Sequence, residues 1–312
     1  MKFAVEAWNP DYGTGGDIDA LDASTDVVDA DVELPRGDWR SLGPHDVPTP
    51  GVTYFVDGVR RIDARIWVTD RGRVHPGSCA TVAAGAVACS ATHAEVCDVQ
   101  VRRAVFTPPV AGARSIETAY GEYIHVPVRT GSPEDMYLGI HEQMTELETQ
   151  TIPPIGPDDL IVFDGPLRGR SVSRAVGLVK TQHVQYLDDE QQLIVGALED
   201  GQRTPLFHIG VSGFARWSFY LRLPGPRTHD WAGVVRCEMP ANRSLGLGDV
   251  GAAVNLADTV SATLPRFASE PHKENRAPQN LYPIKGLEQA LRRRLGDQRL
   301  LQRALRIAAG QA

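Results

Sequence analysis

Two stretches of the chain deliver a carboxylate at the end of an apolar run. Val52, Thr53, Tyr54, Phe55 and Val56 lead into Asp57-Gly58, and Leu160, Ile161, Val162 and Phe163 lead into Asp164-Gly165-Pro166. Short apolar runs bounded by turn formers read as buried strands. An ionised carboxylate is costly to bury uncompensated. Such an acid is therefore either a cap on its turn or half of a site. That the pattern occurs twice suggests two carboxylates meeting at one edge of a sheet.

A third acid comes from a predicted helix. Ser132 can cap it, Pro133 suits its first turn, and Glu134 and Asp135 favour the positive end of its dipole. Met136, Ile140, Met144 and Leu147 recur at helical spacing and define its buried face. On a wheel of about 100° per residue, Glu148 lies nearest that face, Glu146 somewhat further, and Glu142 almost opposite. For any one of these glutamates, the alternative is a solvated helix surface. An early strand with Asp, a helix with Glu and a later strand with Asp can together surround divalent cations. Hard oxygen ligands suit Mg²⁺ or Mn²⁺. Two such ions can activate water and stabilise the leaving oxygen of a phosphodiester.

These residues need a mixed sheet to position them. Val52–Val56 predicts one strand, and Ile62, Ala64, Ile66 and Val68, alternating with polar Asp63 and Arg65, predict the next. Asp70-Arg71-Gly72 turns the chain; Cys79–Ser90 and Val96–Phe106 continue an antiparallel meander. After the Asp164 strand, Val172–Thr181 reads as a strand ending at Lys180. Asp188–Glu199 reads as a helix, and Leu206–Gly210, Phe214–Leu223 and Trp231–Met239 as three further strands. Asp249 caps a helix running to about Leu264, and a basic amphipathic helix starts near Leu287. Residues 1–50, rich in Asp, Gly and Pro, are expected to be an irregular N-terminal arm, and 51–312 one mixed α/β domain. Gly13-Thr14-Gly15-Gly16 lacks the Lys-Ser/Thr of a phosphate loop, which disfavours a phosphotransferase.

Composition narrows the class. The 312 residues are 42% hydrophobic and 23% charged, ordinary for a globular protein. No apolar run approaches the roughly 18 residues that span a membrane. The N-terminus shows no signal-peptide core, so a cytoplasmic location is expected. The four cysteines form no CxxC pair, which argues against structural zinc. The net charge of −7 argues against a broadly basic nucleic-acid-binding surface but leaves room for a local one. Basic residues cluster at Arg60, Arg61 and Arg65, at Arg168, Arg170 and Arg174, and at Arg292–Arg294. Each cluster by itself reads as a solvated face rather than a phosphate contact; the first two follow the two Asp-Gly units, which strengthens the case for phosphate contacts there.

The ordered motifs resemble those of the NurA family of DNA-end-processing nucleases. Phe55-Val56-Asp57-Gly58-Val59-Arg60 resembles the family's first motif, and Asp164-Gly165-Pro166-Leu167 its Asp-Gly-Ser-Leu segment. Gly177-Leu178-Val179-Lys180 resembles its Gly-x-x-Lys strand end. Phe219–Leu223 and Arg236-Cys237-Glu238-Met239-Pro240 resemble its late strands, and Tyr282-Pro283 its C-terminal segment. The resemblance spans about Val52 to Leu295. It implies a ribonuclease H-like mixed sheet flanked by helices, and DNA cleavage dependent on Mn²⁺ (or Mg²⁺). It further implies a homodimer and a ring-shaped hexameric DNA-translocating ATPase of the HerA type as partner. Carried across, Asp57 and Asp164 match the metal-binding acids. The helical ligand is Glu146 by interval or Glu148 by the wheel, and Lys180 contacts a phosphate or orients the water, the alternative being a strand-end lysine in solvent. Arg60, Arg61, Arg168 and Arg170 are the candidate DNA contacts. Val59 and Pro166 stand where Ser is usual, and no His follows Tyr282-Pro283 in Gly286–Leu291; Glu288 in that segment, or Asn280 upstream of it, is the candidate oxygen ligand in its place. That departure motivates the alternative, a catalytically inactive adaptor that binds the ATPase.

Overall fold

The computed structural model describes residues 22–23, 26–43, 46–110, 112–167, 170, 172–181, 184–210 and 215–311. In chain order the strands begin with β1 (Asp22–Ala23), β2 (Val27–Asp29), β3 (Thr53–Asp70), β4 (Arg73–Cys89), β5 (Ala94–Thr107), β6 (Ile116–Thr118) and β7 (Gly121–Pro127). Helix α1 (Pro133–Gln150) precedes β8 (Leu160–Asp164), β9 (Ala175–Val179), β10 (Val184–Gln185) and α2 (Asp189–Ala197). Then come β11 (Phe207–Gly210), β12 (Arg216–Arg222), β13 (Val234–Pro240), α3 (Val250–Thr263), α4 (Tyr282–Arg294) and α5 (Gln298–Gln311). Among the described residues, no helix is long and apolar enough to cross a membrane.

The chain falls into two compact units. The first comprises Met1–Phe55, Ala88–Ala94 and Ile155–Lys285; the second comprises Val56–Val87, Glu95–Pro154 and Gly286–Ala312. The described part of residues 1–50 thus counts with the first unit. There β2 pairs antiparallel with β11, and Trp39 is buried.

In the first unit the strands run in the order β2-β11-β12-β13-β9-β8. The sheet is mixed: β8 and β9 are parallel, whereas β9–β13, β13–β12 and β12–β11 are antiparallel. Strands β8 and β9 are apolar almost throughout, as expected for a parallel pair covered on both faces. Helix α2 begins with an Asp188–Gln191 capping box and buries Val195 against Phe207, Tyr220 and Val234. Arg203, almost fully buried, joins two elements by pairing with Glu33 at 2.8 Å and with Asp258 of α3 at 2.6 Å.

In the second unit β3, β4, β5, β7 and β6 are neighbours in that order, with β5 and β7 parallel. Strand β4 is buried on both faces because helices cover both. Ala80, Val82 and Ala84 pack against Met136, Ile140, Met144 and Leu147 of α1. Ala83 faces Leu287 and Leu291 of α4 instead, and Cys79 faces Leu305 of α5. Each large α1 side chain removed from water contributes about 1.5–3 kcal/mol at most. Ser132 caps α1 by accepting from the Asp135 N–H, as its sequence predicts.

Two local expectations are corrected. No turn follows Val56: β3 continues through Asp57-Gly58 as a single 18-residue strand, and Gly58 does not adopt a positive φ. Its missing Cβ serves the approach of α1 instead. The alternation beyond it also shifts. Ile62 is exposed and Asp63 is buried, while Ala64 and Ile66 point into the core. Asp63 tolerates burial because Thr81, Tyr123 and Arg61 all donate to it.

Candidate functional site

In the first unit, β8 ends at Asp164, and Gly165 turns the chain at φ 93°. The Gly165 N–H donates to the Leu178 carbonyl at 2.9 Å, so the turn lies across β9. Only glycine fits beneath it. A Cβ on Gly177 would stand 2.7 Å from Leu167 N and 2.8 Å from Gly165 O. The Leu167 N–H donates to Glu238 Oε2 at 3.3 Å. Glu238 is held in turn by Arg236 at 2.8 Å and Arg216 at 3.2 Å. Glu238 is therefore a positioning group for the segment after Asp164.

Asp164 lies opposite Leu178 in the parallel register, which brings the end of β9 alongside it. Lys180 then places its Nζ 2.6 Å from Asp164 Oδ1 and donates to Asn280 Oδ1 at 2.8 Å. Lys180 and Asn280 are both buried. The Asn280 Nδ2 group, also buried, has no hydrogen-bond partner among the described residues. Four segments distant in sequence thus converge here: 164–167, 177–180, 236–238 and Asn280, two residues before Tyr282-Pro283. Asn280, a candidate ligand in the sequence, is the Lys180 partner in the structure.

In the second unit, Asp57 is buried on β3 and its Oδ1 accepts from the Gly58 N–H at 2.7 Å. Glu148 of α1 is buried too, at 3% exposure. Its carboxylate lies directly against Gly58. A Cβ there would stand 2.5 Å from Glu148 Oε1 and 2.6 Å from Met144 Cγ. Glu148 thus packs against the residue that follows Asp57 in β3. Glu146 lies elsewhere on the helix surface, paired with Arg102 at 3.0 Å and accepting from Gln143 and Gln150.

The candidate DNA contacts are largely engaged with protein. Arg60 lies 4.3 Å over the Tyr137 ring and donates to its hydroxyl. Arg61 pairs with Asp63 at 2.8 Å and donates to the carbonyls of Gly296 and Leu295. Arg170 is buried 4.8 Å over Phe163 and donates to the Pro166 carbonyl. Arg168 lies outside the described residues. Glu288, the other stand-in for the absent histidine, pairs with Arg292 at 2.8 Å.

Among the described residues, no group of three or more His, Cys, Asp and Glu side chains is placed to hold a metal ion. Asp57 and Glu148 each offer the oxygen donors that suit a hard divalent cation. The sequence reading missed the Asp63 network. Burial, followed by the Asp63 charge, pushes the Cys79 thiol up to about 12 and the Tyr123 hydroxyl above its ordinary range. The signal was present in the spacing, because Phe55, Asp57, Val59 and Asp63 all occupy odd positions of one strand.

No family model matches the chain, and no curated protein matches it. Among solved structures, the NurA nuclease from Sulfolobus solfataricus aligns over 82% of this chain and 84% of its own, at 11% identity and a TM-score of 0.46. Endonuclease V from Bacillus subtilis aligns over 81% and 83%, at 12% identity and a TM-score of 0.30. Human ENDOV aligns over 83% and 91%, at 17% identity and a TM-score of 0.32.

Proposed function

We propose that this chain is a divalent-metal-dependent deoxyribonuclease that processes DNA ends. The observation that carries the reading is the burial of two carboxylates, Asp57 on β3 and Glu148 on α1, the latter packed against Gly58. A nearby cation compensates a buried carboxylate, and oxygen donors suit one of hard character. When bound, Mn²⁺ or Mg²⁺ would polarise the phosphate and make water a competent nucleophile.

The chain's own residues have separate tasks in this reading. Asp57 and Glu148 hold the ion. Asp164 is kept charged-paired and oriented by Lys180, and Glu238 fixes the backbone that follows it. Lys180 offers a cation to a phosphate oxygen. The partner proposed on the sequence resemblance is a hexameric HerA-type ATPase, acting with a homodimer of this chain.

The test is incubation with linear single- and double-stranded DNA in Mn²⁺, Mg²⁺ or EDTA, beside Asp57→Ala, Glu148→Gln and Asp164→Ala. Metal-dependent loss of DNA that falls at least a hundredfold in each variant is expected. Cleavage at the unaltered rate in either aspartate variant overturns the assignment of the groups. Silence of the unaltered protein, both alone and with a co-purified ATPase, overturns the activity and leaves the adaptor.

A further inference from the structure

The β3–β4 hairpin ends in a two-residue turn, with φ 48° at Arg71 and 76° at Gly72. Both central residues are left-handed, the pattern of a type I′ turn, where Asn-Gly is the usual pair. Arginine occupies the costlier first position. The tip is strongly basic. Arg65, Arg71 and Arg73 are exposed, and Asp70 is the one carboxylate between Ala64 and Ser78. A fourth exposed arginine, Arg114, belongs to a neighbouring loop. A Cβ on Gly112 would stand 3.3 Å from the Thr69 carbonyl, which sets that loop beside the tip. Among the described residues, no ion pair or hydrogen bond ties any of these four side chains. This sets them apart from Arg60, Arg61 and Arg170.

An aromatic ring stands among these charges. Trp67 is 73% exposed, although tryptophan is among the costliest side chains to leave in water. It is two residues from Arg65, and residues two apart on a strand share a face. An exposed aromatic with arginines around it matches the chemistry that holds single-stranded nucleic acid. Bases stack on the ring, and guanidinium groups track the phosphates. On a chain of net charge −7, such a tip is a local positive feature that draws in a polyanion.

We propose that this hairpin tip is a single-strand nucleic-acid grip, with Trp67 as stacking platform and Arg65, Arg71, Arg73 and Arg114 as phosphate contacts. The proposal concerns binding and stands whether or not the chain cleaves its ligand.

The experiment is fluorescence anisotropy with labelled oligo-dT, oligo-rU and a duplex of equal length, in EDTA, between 50 and 200 mM salt (about the range over which phosphate contacts weaken). The full chain is expected to prefer single strands. Trp67→Ala should weaken binding about tenfold or more, with recovery in Trp67→Phe. The triple variant Arg65→Ala, Arg71→Ala, Arg73→Ala should lower the salt slope by about 2. Thermal unfolding should be unchanged in all of these, because the altered side chains are exposed. Unaltered binding in both Trp67→Ala and the triple variant overturns the proposal, as does a preference for duplex. A change of oligomeric state in Trp67→Ala with no loss of binding assigns the face to a protein contact and also overturns it.

Discussion

Substituting Gly58 by alanine tests the core of the candidate site with one methyl group. The added Cβ would stand 2.5 Å from Glu148 Oε1, 2.6 Å from Met144 Cγ and 3.1 Å from its sulfur, where ordinary contact begins at 3.4 Å. The Glu148 carboxylate must therefore retreat by roughly 1 Å, and both side chains are buried. Overpacking of this kind costs about 1–3 kcal/mol. A catalytic group misplaced by about 1 Å loses about a hundredfold in rate. Gly58→Ala should accordingly lower the denaturant midpoint moderately, weaken Mn²⁺ binding measured by calorimetry, and reduce DNA cleavage about a hundredfold. Adding Met144→Ala removes one clash and leaves the other. The two substitutions should destabilise by less than the sum of their separate effects, because they share a contact, while metal affinity stays low. Unaltered stability together with unaltered Mn²⁺ affinity in Gly58→Ala would refute the placement of Glu148 against Gly58 and its role in holding the ion.

Lys180→Met leaves the largely buried Asp164 without its ion-pair partner and should cost about 3–5 kcal/mol in urea unfolding; Lys180→Met with Asp164→Asn should recover much of that loss. Arg203→Met strands Glu33 and Asp258 and should destabilise by a similar few kcal/mol, about 3–5, with no specific effect on metal binding by calorimetry. Thiol labelling of the native protein at pH 8 should modify Cys97 alone, because Cys79, Cys89 and Cys237 are buried and burial pushes the Cys79 thiol up to about 12. Asp135 is held below the ordinary carboxylate range by the Thr130 hydroxyl, with Arg129 assisting against burial. Its folded value is depressed, so its contribution is present above the unfolded carboxylate value and lost as pH falls through the folded one. Asp135→Asn should therefore be less stable than the unaltered chain at neutral pH, with the gap closing in acid, as read from unfolding midpoints across that range.

Much of this architecture was legible along the chain. The Ser132 cap and the Met136, Ile140, Met144, Leu147 stripe specify α1 and its buried face, because capping and 3.6-residue periodicity are local properties. The same periodicity directs Glu148 inward. Tertiary structure alone decided the rest. A glycine after an apolar run reads as a turn from its neighbours, yet Gly58 lies inside a strand because a helix packs against it more closely than any Cβ allows. Asn280 meets Lys180 across 100 residues of sequence, and local composition carries no record of that contact. Asp63 reads as a solvent-facing residue until Thr81, Tyr123 and Arg61 arrive from other segments to satisfy it. The physical reason is common to all three: burial of a polar or missing side chain becomes favourable only through partners the fold brings together, whereas helix caps and apolar stripes form within a few residues of themselves.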